Sequence, residues 1–169
     1  MERLLVLGCP GAGKSTLSRA LGEALDLPVI HLDRLWWRSG WRNPTPEEFD
    51  ALLDQALAGE RWVMDGNYLR TLPARLARAD AVVLLDYPRR LCLFRVLRRT
   101  LRWLGHTRPD MGEGCPERLE PGFVRWIWDF PRTQRPQVLA LLENWPGTLH
   151  VFRAPRDCAA FLAELERRG

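Results

Sequence analysis

The chain has 169 residues, 46% of them hydrophobic, and a formal net charge of +4 at neutral pH. That size and hydrophobic share fit one globular domain spanning residues 1–169 with a core of its own. The absence of any 18-residue apolar run argues against a membrane span, and the four scattered cysteines, with no Cys-x-x-Cys pair, argue against a zinc site or a disulfide framework; the expectation is a soluble cytoplasmic protein with no membrane partner.

The first element is a short apolar run, Arg3 to Leu7, which reads as a buried strand. It runs into Gly8-Cys9-Pro10-Gly11-Ala12-Gly13-Lys14-Ser15, which fits the spacing G-x-x-x-x-G-K-[ST] without a gap. Leu17, Leu21 and Leu25 then recur at helical spacing. Strand, glycine-rich turn and helix together predict a phosphate site. The backbone N–H groups of Gly8 to Thr16 and the helix N-terminus would face the phosphates of ATP. Lys14 would reach the β- and γ-phosphates, and Ser15 would sit on Mg²⁺. Lys14 is the only lysine in the chain, every other basic residue besides histidine being arginine. A compact ammonium fits between phosphate oxygens where a planar guanidinium does not. A single lysine also excludes a GTPase that reads guanine through Asn-Lys-x-Asp.

Leu27 to Asp33 reads as a second strand ending in polar residues, following the helix closely as in a parallel strand–helix–strand unit. Ligands of such sheets bind beyond the carboxyl ends of the strands, so His31 and Asp33 fall near the phosphate site. Asp33 is the candidate to hold or deprotonate an acceptor; the alternative is a helix cap or an ion pair with Arg34 or Arg38. Trp36, Trp37 and Trp41, interleaved with Arg34, Arg38 and Arg42, offer either stacking faces for a nucleobase or a small apolar cluster. Thr45-Pro46-Glu47-Glu48 is a capping box opening a structural helix.

Arg61 to Gly66 is an apolar strand ending in Asp65, whose carboxylate would hold Mg²⁺ directly or through water. Asn67, Tyr68 and Arg70 follow at once, and Arg70 is a candidate phosphate contact. Leu72 to Ala79 sketches a short helix, and Ala81 to Asp86 a buried parallel strand. A long helix from Arg89 carries Arg95, Arg98, Arg99 and Arg102 on one face. Like charges at that spacing repel, and a nearby anion would relieve them, which makes Arg95 and Arg99 candidates for phosphate. Gly105 to Gly122 is a long glycine- and proline-rich loop between helices rich in Arg and Trp. With its flanks, over about residues 99–135, it reads as a lid that would bring arginines such as Arg132 to a transferring phosphoryl group. A helix from Pro136 to Trp145, a strand from Thr148 to Phe152 and a helix from Pro155 to Arg168 complete the pattern, with Arg153 a candidate neighbour of adenine.

Gly8 to Thr16, Asp65-Gly66 with Arg70-Thr71, and Asp86-Tyr87-Pro88 leading to Arg95 and Arg99 resemble adenylate kinase and its nucleotide-kinase relatives. His31-Leu32-Asp33, Asp65-Gly66-Asn67-Tyr68, Leu85-Asp86-Tyr87-Pro88 and Thr107 to Pro116 are similar to bacterial DNA topology modulation proteins, an adenylate-kinase-like branch. The resemblance implies a three-layer α/β P-loop fold, a five-stranded parallel sheet between helices, with a lid. It implies ATP- and Mg²⁺-dependent phosphoryl transfer to a nucleoside, a nucleotide or a similar small acceptor. Asn67-Tyr68-Leu69 stands where adenylate kinases carry phenylalanine and proline before the arginine, so the likeness does not extend to AMP specificity. A nucleic-acid-associated ATPase is the competing reading, favoured by the pI near 9.2. No helix-turn-helix, zinc-finger or RNA-recognition signature accompanies it. Phosphorylation of a nucleic-acid end combines the two.

Overall fold

The computed structural model describes residues 1–168. In chain order the elements are β1 (Arg3–Gly8), α1 (Lys14–Leu25), β2 (Val29–His31), α2 (Leu32–Trp36), α3 (Pro46–Leu57), β3 (Trp62–Asp65), α4 (Leu72–Arg78), β4 (Ala81–Leu85), α5 (Arg89–Trp103), α6 (Pro121–Thr133), α7 (Arg135–Leu142), β5 (Thr148–Phe152) and α8 (Pro155–Arg168). The five strands form one parallel sheet in the order β2-β3-β1-β4-β5. The inner strands are continuous apolar runs because helices cover both faces. Leu4 and Val6 join the core under α1, α5 and α8. Leu5 and Leu7 point the other way, into the core under α3, α4 and α7. The alternation is the period of two along a strand.

Local chemistry explains the element ends. Thr45 caps α3 through a reciprocal pair: Glu48 N–H donates to Thr45 Oγ1 at 3.2 Å, and Thr45 N–H donates to Glu48 Oε2 at 2.8 Å. The second strand is shorter than its apolar run suggests. It stops at His31, and Leu32, fully buried, opens the short helix α2. Asp33 therefore stands on a helical turn and not at a strand tip. The parallel register sets His31 beside Asp65, and Val6 of β1 on that residue's other side. The carboxyl ends of β1, β2 and β3 thus converge, and the chain beyond them forms the rim of a cavity. No helix among the described residues is long and apolar enough to cross a membrane.

Candidate functional site

A cavity of about 740 Å³ opens over these strand ends. Its floor is the loop between β1 and α1. Gly8, Gly11 and Gly13 all take positive φ, at 146°, 84° and 101°. At Gly8 a Cβ would lie 2.6 Å from the Leu85 carbonyl oxygen, and at Gly11 it would meet the Cys92 carbonyl, so any side chain would push the loop off β4 and α5. Pro10, Gly11, Gly13, Lys14 and Ser15 line the cavity. Cys9 and Ala12 turn inward and pack in the core beneath it. Thr16 is exposed and outside the cavity wall. Lys14 Nζ donates to the carbonyls of Gly8 at 2.8 Å and Cys9 at 3.3 Å, which ties the ammonium across the loop. Burial lowers the ammonium's pKa, and the carboxylates of Asp33 and Asp65 oppose that.

Asn67 clamps the same loop. Its Nδ2 donates to the Gly8 carbonyl at 2.8 Å, and its Oδ1 accepts from the Gly8 N–H at 3.1 Å. Arg75 of α4, fully buried, in turn holds the Asn67 segment: it donates to the carbonyls of Gly66 at 2.7 Å and Tyr68 at 3.0 Å, and also to that of Asn67. Burial pulls its guanidinium down to about 9. Nothing in the local sequence marks Arg75, because its partners are carbonyls of a loop and not charged side chains.

Another side of the cavity is built from the ends of β2 and β3 and the residues just beyond them. His31 Nδ1 lies 2.9 Å from Asp65 Oδ2, both side chains buried. Tyr68, held at positive φ just beyond β3, donates its hydroxyl to Asp33 Oδ1 at 2.6 Å. Position deep in the cavity raises the Asp33 pKa, and the Tyr68 hydroxyl and the Lys14 ammonium oppose the rise. Trp36, Trp37, Trp41 and Tyr68 line this side. Trp36 and Tyr68 also pack against Phe49, at ring-centroid distances of 5.0 and 5.4 Å. The tryptophans are both an apolar cluster and a cavity wall.

The far wall comes from α5 and the segment after it. Arg95, Arg99 and Arg102 line the cavity, while Arg98 is exposed and outside it. Arg95 Nη1 donates to the Ala12 carbonyl at 3.1 Å, so this helix touches the phosphate loop. Burial and neighbouring Arg108 lower the Arg99 pKa. Sequence reading missed the residues that answer these charges. Glu117, buried, lies 3.5 Å from Arg99 Nη2 and accepts from Thr100 Oγ1 at 3.1 Å. Arg108, also buried, lies 2.6 Å from Glu117 Oε2, an ion contact outside hydrogen-bond geometry. Arg108 Nη1 donates to Asp110 Oδ2 at 3.0 Å. Asp110 is pushed up by burial, but Arg108, the Ser15 hydroxyl and Arg99 outweigh this and hold its pKa below the ordinary value. The signal for Arg108 and Asp110 was the Thr107 to Pro116 motif, which carries no known spacing rule, and Glu117 lies just beyond it.

Lys14, Ser15, Asp33, Asp65, Arg95 and Arg99 are thus brought together. Besides Thr16, three candidate arginines are not. Arg70 is turned outward, where it makes a two-pronged pair with Asp50 of α3 at 2.6 and 3.0 Å. The turn after Asp65 points Leu69 at the cavity and Arg70 away from it. Arg132 is exposed on α6, and Gln134 reaches the cavity in its place. Arg153 is exposed beyond β5, which stands two strands, roughly 10 Å, from β1.

Mg²⁺ is the metal that such a site implies. Ser15 and Asp65 both line the cavity, and His31 occupies only one of the two Asp65 oxygens. Among the described residues no group of three or more His, Cys, Asp and Glu could cage a metal ion. Mg²⁺, held by one or two protein oxygens with substrate phosphates and water, needs no such cage, so the residues fit it.

The architecture is the three-layer α/β fold of P-loop nucleotide kinases. Among solved structures, shikimate kinase from Acinetobacter baumannii in complex with shikimate superposes with a TM-score of 0.62 at 16% identity, covering 99% of this chain and 93% of that one. Shikimate kinase from Bacteroides thetaiotaomicron gives 0.57 at 17% identity, over 99% and 97%. In sequence the relatives are adenylate kinases. That of Cyanothece sp. (strain PCC 7425 / ATCC 29141) is 33% identical over 106 residues, 60% of this chain and 52% of the relative. That of Xylella fastidiosa (strain 9a5c) is 36% identical over 107 residues, 62% and 56%. The chain thus spans little more than half the length of these curated relatives. No protein-family model matches.

Proposed function

We propose that the protein is a P-loop kinase that moves the γ-phosphoryl group of ATP to a hydroxyl of a small acceptor carrying a flat ring, of the nucleoside kind. The observation that carries this reading is Asp33. A carboxylate at the acceptor end of the cavity, oriented by Tyr68, is the partner of a hydroxyl and repels a phosphate. The arginine expected to clamp an acceptor phosphate, Arg70, sits outside with Asp50. Trp36, Trp37 and Trp41 supply apolar ring faces beside that carboxylate.

In the reaction so read, Asp33 accepts the hydroxyl proton as the acceptor oxygen bonds to the γ-phosphorus, and the bond to the β–γ bridging oxygen breaks to release ADP. Lys14, Arg95 and Arg99 hold the phosphoryl oxygens and offset the charge that gathers on them. Ser15 and Asp65 are the residues to hold Mg²⁺, which when bound neutralises charge on the β- and γ-phosphoryl oxygens. The glycine turn, locked by Asn67, positions the chain's own N–H groups in advance.

The experiment is ADP release from Mg·ATP across nucleosides, nucleoside monophosphates, other small alcohols and short DNA or RNA ends, with Lys14→Ala as control. Stimulation by one hydroxyl acceptor, lost in the control, is the expected result. Stimulation by monophosphates with the new phosphate on the old one would overturn the hydroxyl reading. Stimulation by polynucleotide without its phosphorylation would establish the nucleic-acid ATPase instead.

A further inference from the structure

His31 is buried behind the cavity wall that Asp65 joins. It ends β2 directly opposite Asp65, the last residue of β3, and parallel partners in register point to the same face of a sheet. The His31 ring stands at the N-cap position of α2 but caps nothing there. Its Nδ1 lies instead 2.9 Å from Asp65 Oδ2, with side-chain exposures of 7% and 6%. A carboxylate only accepts, so Nδ1 is the nitrogen that carries hydrogen. The backbone around the pair is held as well. A Cβ on Gly66 would lie 2.9 Å from the Leu32 Cβ, so the turn after Asp65 packs against the residue after His31. Arg75 donates to the Gly66 carbonyl at 2.7 Å, and the Gly66 N–H reaches the Val6 carbonyl at 3.4 Å. Among the described residues no hydrogen bond reaches Asp65 Oδ1. The carboxylate is therefore pinned through one oxygen and open at the other.

We propose that His31 is a positioning residue: its Nδ1–H holds Asp65 so that one oxygen, Oδ1, is left for a nucleotide-bound divalent cation, and this sets how strongly the cation is held and which cation is preferred. The hydrogen bond fixes the carboxylate before any ligand arrives and withdraws Oδ2 from coordination. Outer-shell hydrogen bonds of this kind orient a ligating carboxylate and strengthen the metal site. A single carboxylate oxygen suits Mg²⁺, which keeps several waters in an octahedral shell, whereas Ca²⁺ takes more oxygens, often two from one carboxylate. By denying the second oxygen the pair selects Mg²⁺ over Ca²⁺. A pairing that merely joined two strand ends would affect stability and leave the response to metal alone. The inference rests on the reading that Mg²⁺ and nucleotide share the cavity at Lys14 and Asp65. The acceptor plays no part in it.

The test uses the whole chain and adenylyl-imidodiphosphate, with calorimetry in EDTA, in Mg²⁺ and in Ca²⁺. The readout is the gain in analogue affinity that each metal brings, so no turnover is involved. In the wild type the gain from Mg²⁺ is expected to exceed that from Ca²⁺ by about tenfold or more. His31→Phe keeps a flat ring and loses the donor; it is expected to cut the Mg²⁺ gain by about tenfold or more while metal-free affinity stays within about twofold of wild type. The two metals should then differ by less than about threefold. His31→Asn, whose amide can donate where Nδ1–H does, should keep the Mg²⁺ gain within about threefold of wild type. His31→Leu, which also lacks a donor, stands as the test if His31→Phe fails to fold. An undiminished Mg²⁺ gain in the variant without a donor would overturn the positioning role and leave the kinase reading intact. So would a loss in His31→Asn as large as in His31→Phe. Wild type that binds the analogue with no gain from metal would remove Asp65 as a metal ligand, and this role of His31 with it. Failure of wild type to bind the analogue at all would overturn both readings.

Discussion

Lys14 and Asp33 each carry a charge that their surroundings resist. Burial lowers the Lys14 pKa, so its ammonium is held against the preference of the fold. Replacing it with alanine is expected to lower nucleotide turnover by at least about 100-fold, the scale of losing a main charge-stabilising donor. The melting temperature should change little, and near-normal turnover would remove the phosphate-loop assignment. Asp33 has a pKa raised by burial. A carboxyl whose folded pKa lies above its unfolded value favours the folded state most at low pH, and that advantage is lost as pH rises through the folded pKa. At neutral pH the ionised Asp33 therefore costs stability. Asp33→Asn, which keeps an oxygen for Tyr68, is expected to melt a few degrees higher while phosphoryl transfer slows. A lower melting temperature, or an unchanged rate, would sink this account. Tyr68 sharpens it further. Its hydroxyl lowers the Asp33 pKa against burial. Tyr68→Phe should shift the acidic limb of the rate profile to higher pH, a displacement that a merely structural tyrosine would not produce.

At the level of elements, what was legible in the sequence was what local spacing determines. The glycine turn and the Thr45–Glu48 capping box are set by neighbours within a few residues and formed as read, while of the arginine face of α5 Arg95, Arg99 and Arg102 reach the cavity and Arg98 does not. Strand β4 was readable because an uninterrupted apolar run suits a sheet covered on both faces. The shortening of β2 was not readable. It follows from the His31–Asp65 pair and from Leu32 turning into the core, both of which are tertiary. Arg70 lies outside the cavity for the same reason: Asp50, twenty positions upstream, holds it from α3. Arg70→Ala is accordingly expected to leave phosphoryl transfer within about twofold of wild type, since exposed pairs of this kind contribute little. A loss of 100-fold in a transfer assay would put Arg70 back in the chemistry. The set of buried Arg108 and Glu117 with half-buried Asp110 was hidden because charged residues in a glycine-rich loop ordinarily read as solvated.

The molecule as a whole places its cavity where two cores meet. The core under α1, α5 and α8 and the core under α3, α4 and α7 share one sheet, and the cavity rim takes Lys14 and Arg95 from the first side and Trp36 and Tyr68 from the second. A ligand spanning that rim ties both faces to the sheet. Anything that binds only the folded state stabilises it by RT ln(1 + [L]/Kd), about 2.7 kcal/mol at a hundred times Kd. For a chain of this length that corresponds to a rise of about 5–10 °C in melting temperature. Mg·ATP is expected to produce such a rise in one cooperative transition, and Lys14→Ala to abolish most of it. Because the contacts are charges meeting phosphates at a partly open cavity, added salt should shrink the rise. A rise that persists in Lys14→Ala would place the nucleotide elsewhere on the molecule. Two separated transitions would show that the faces melt apart, and that ligand at the rim does not bind them into one unit.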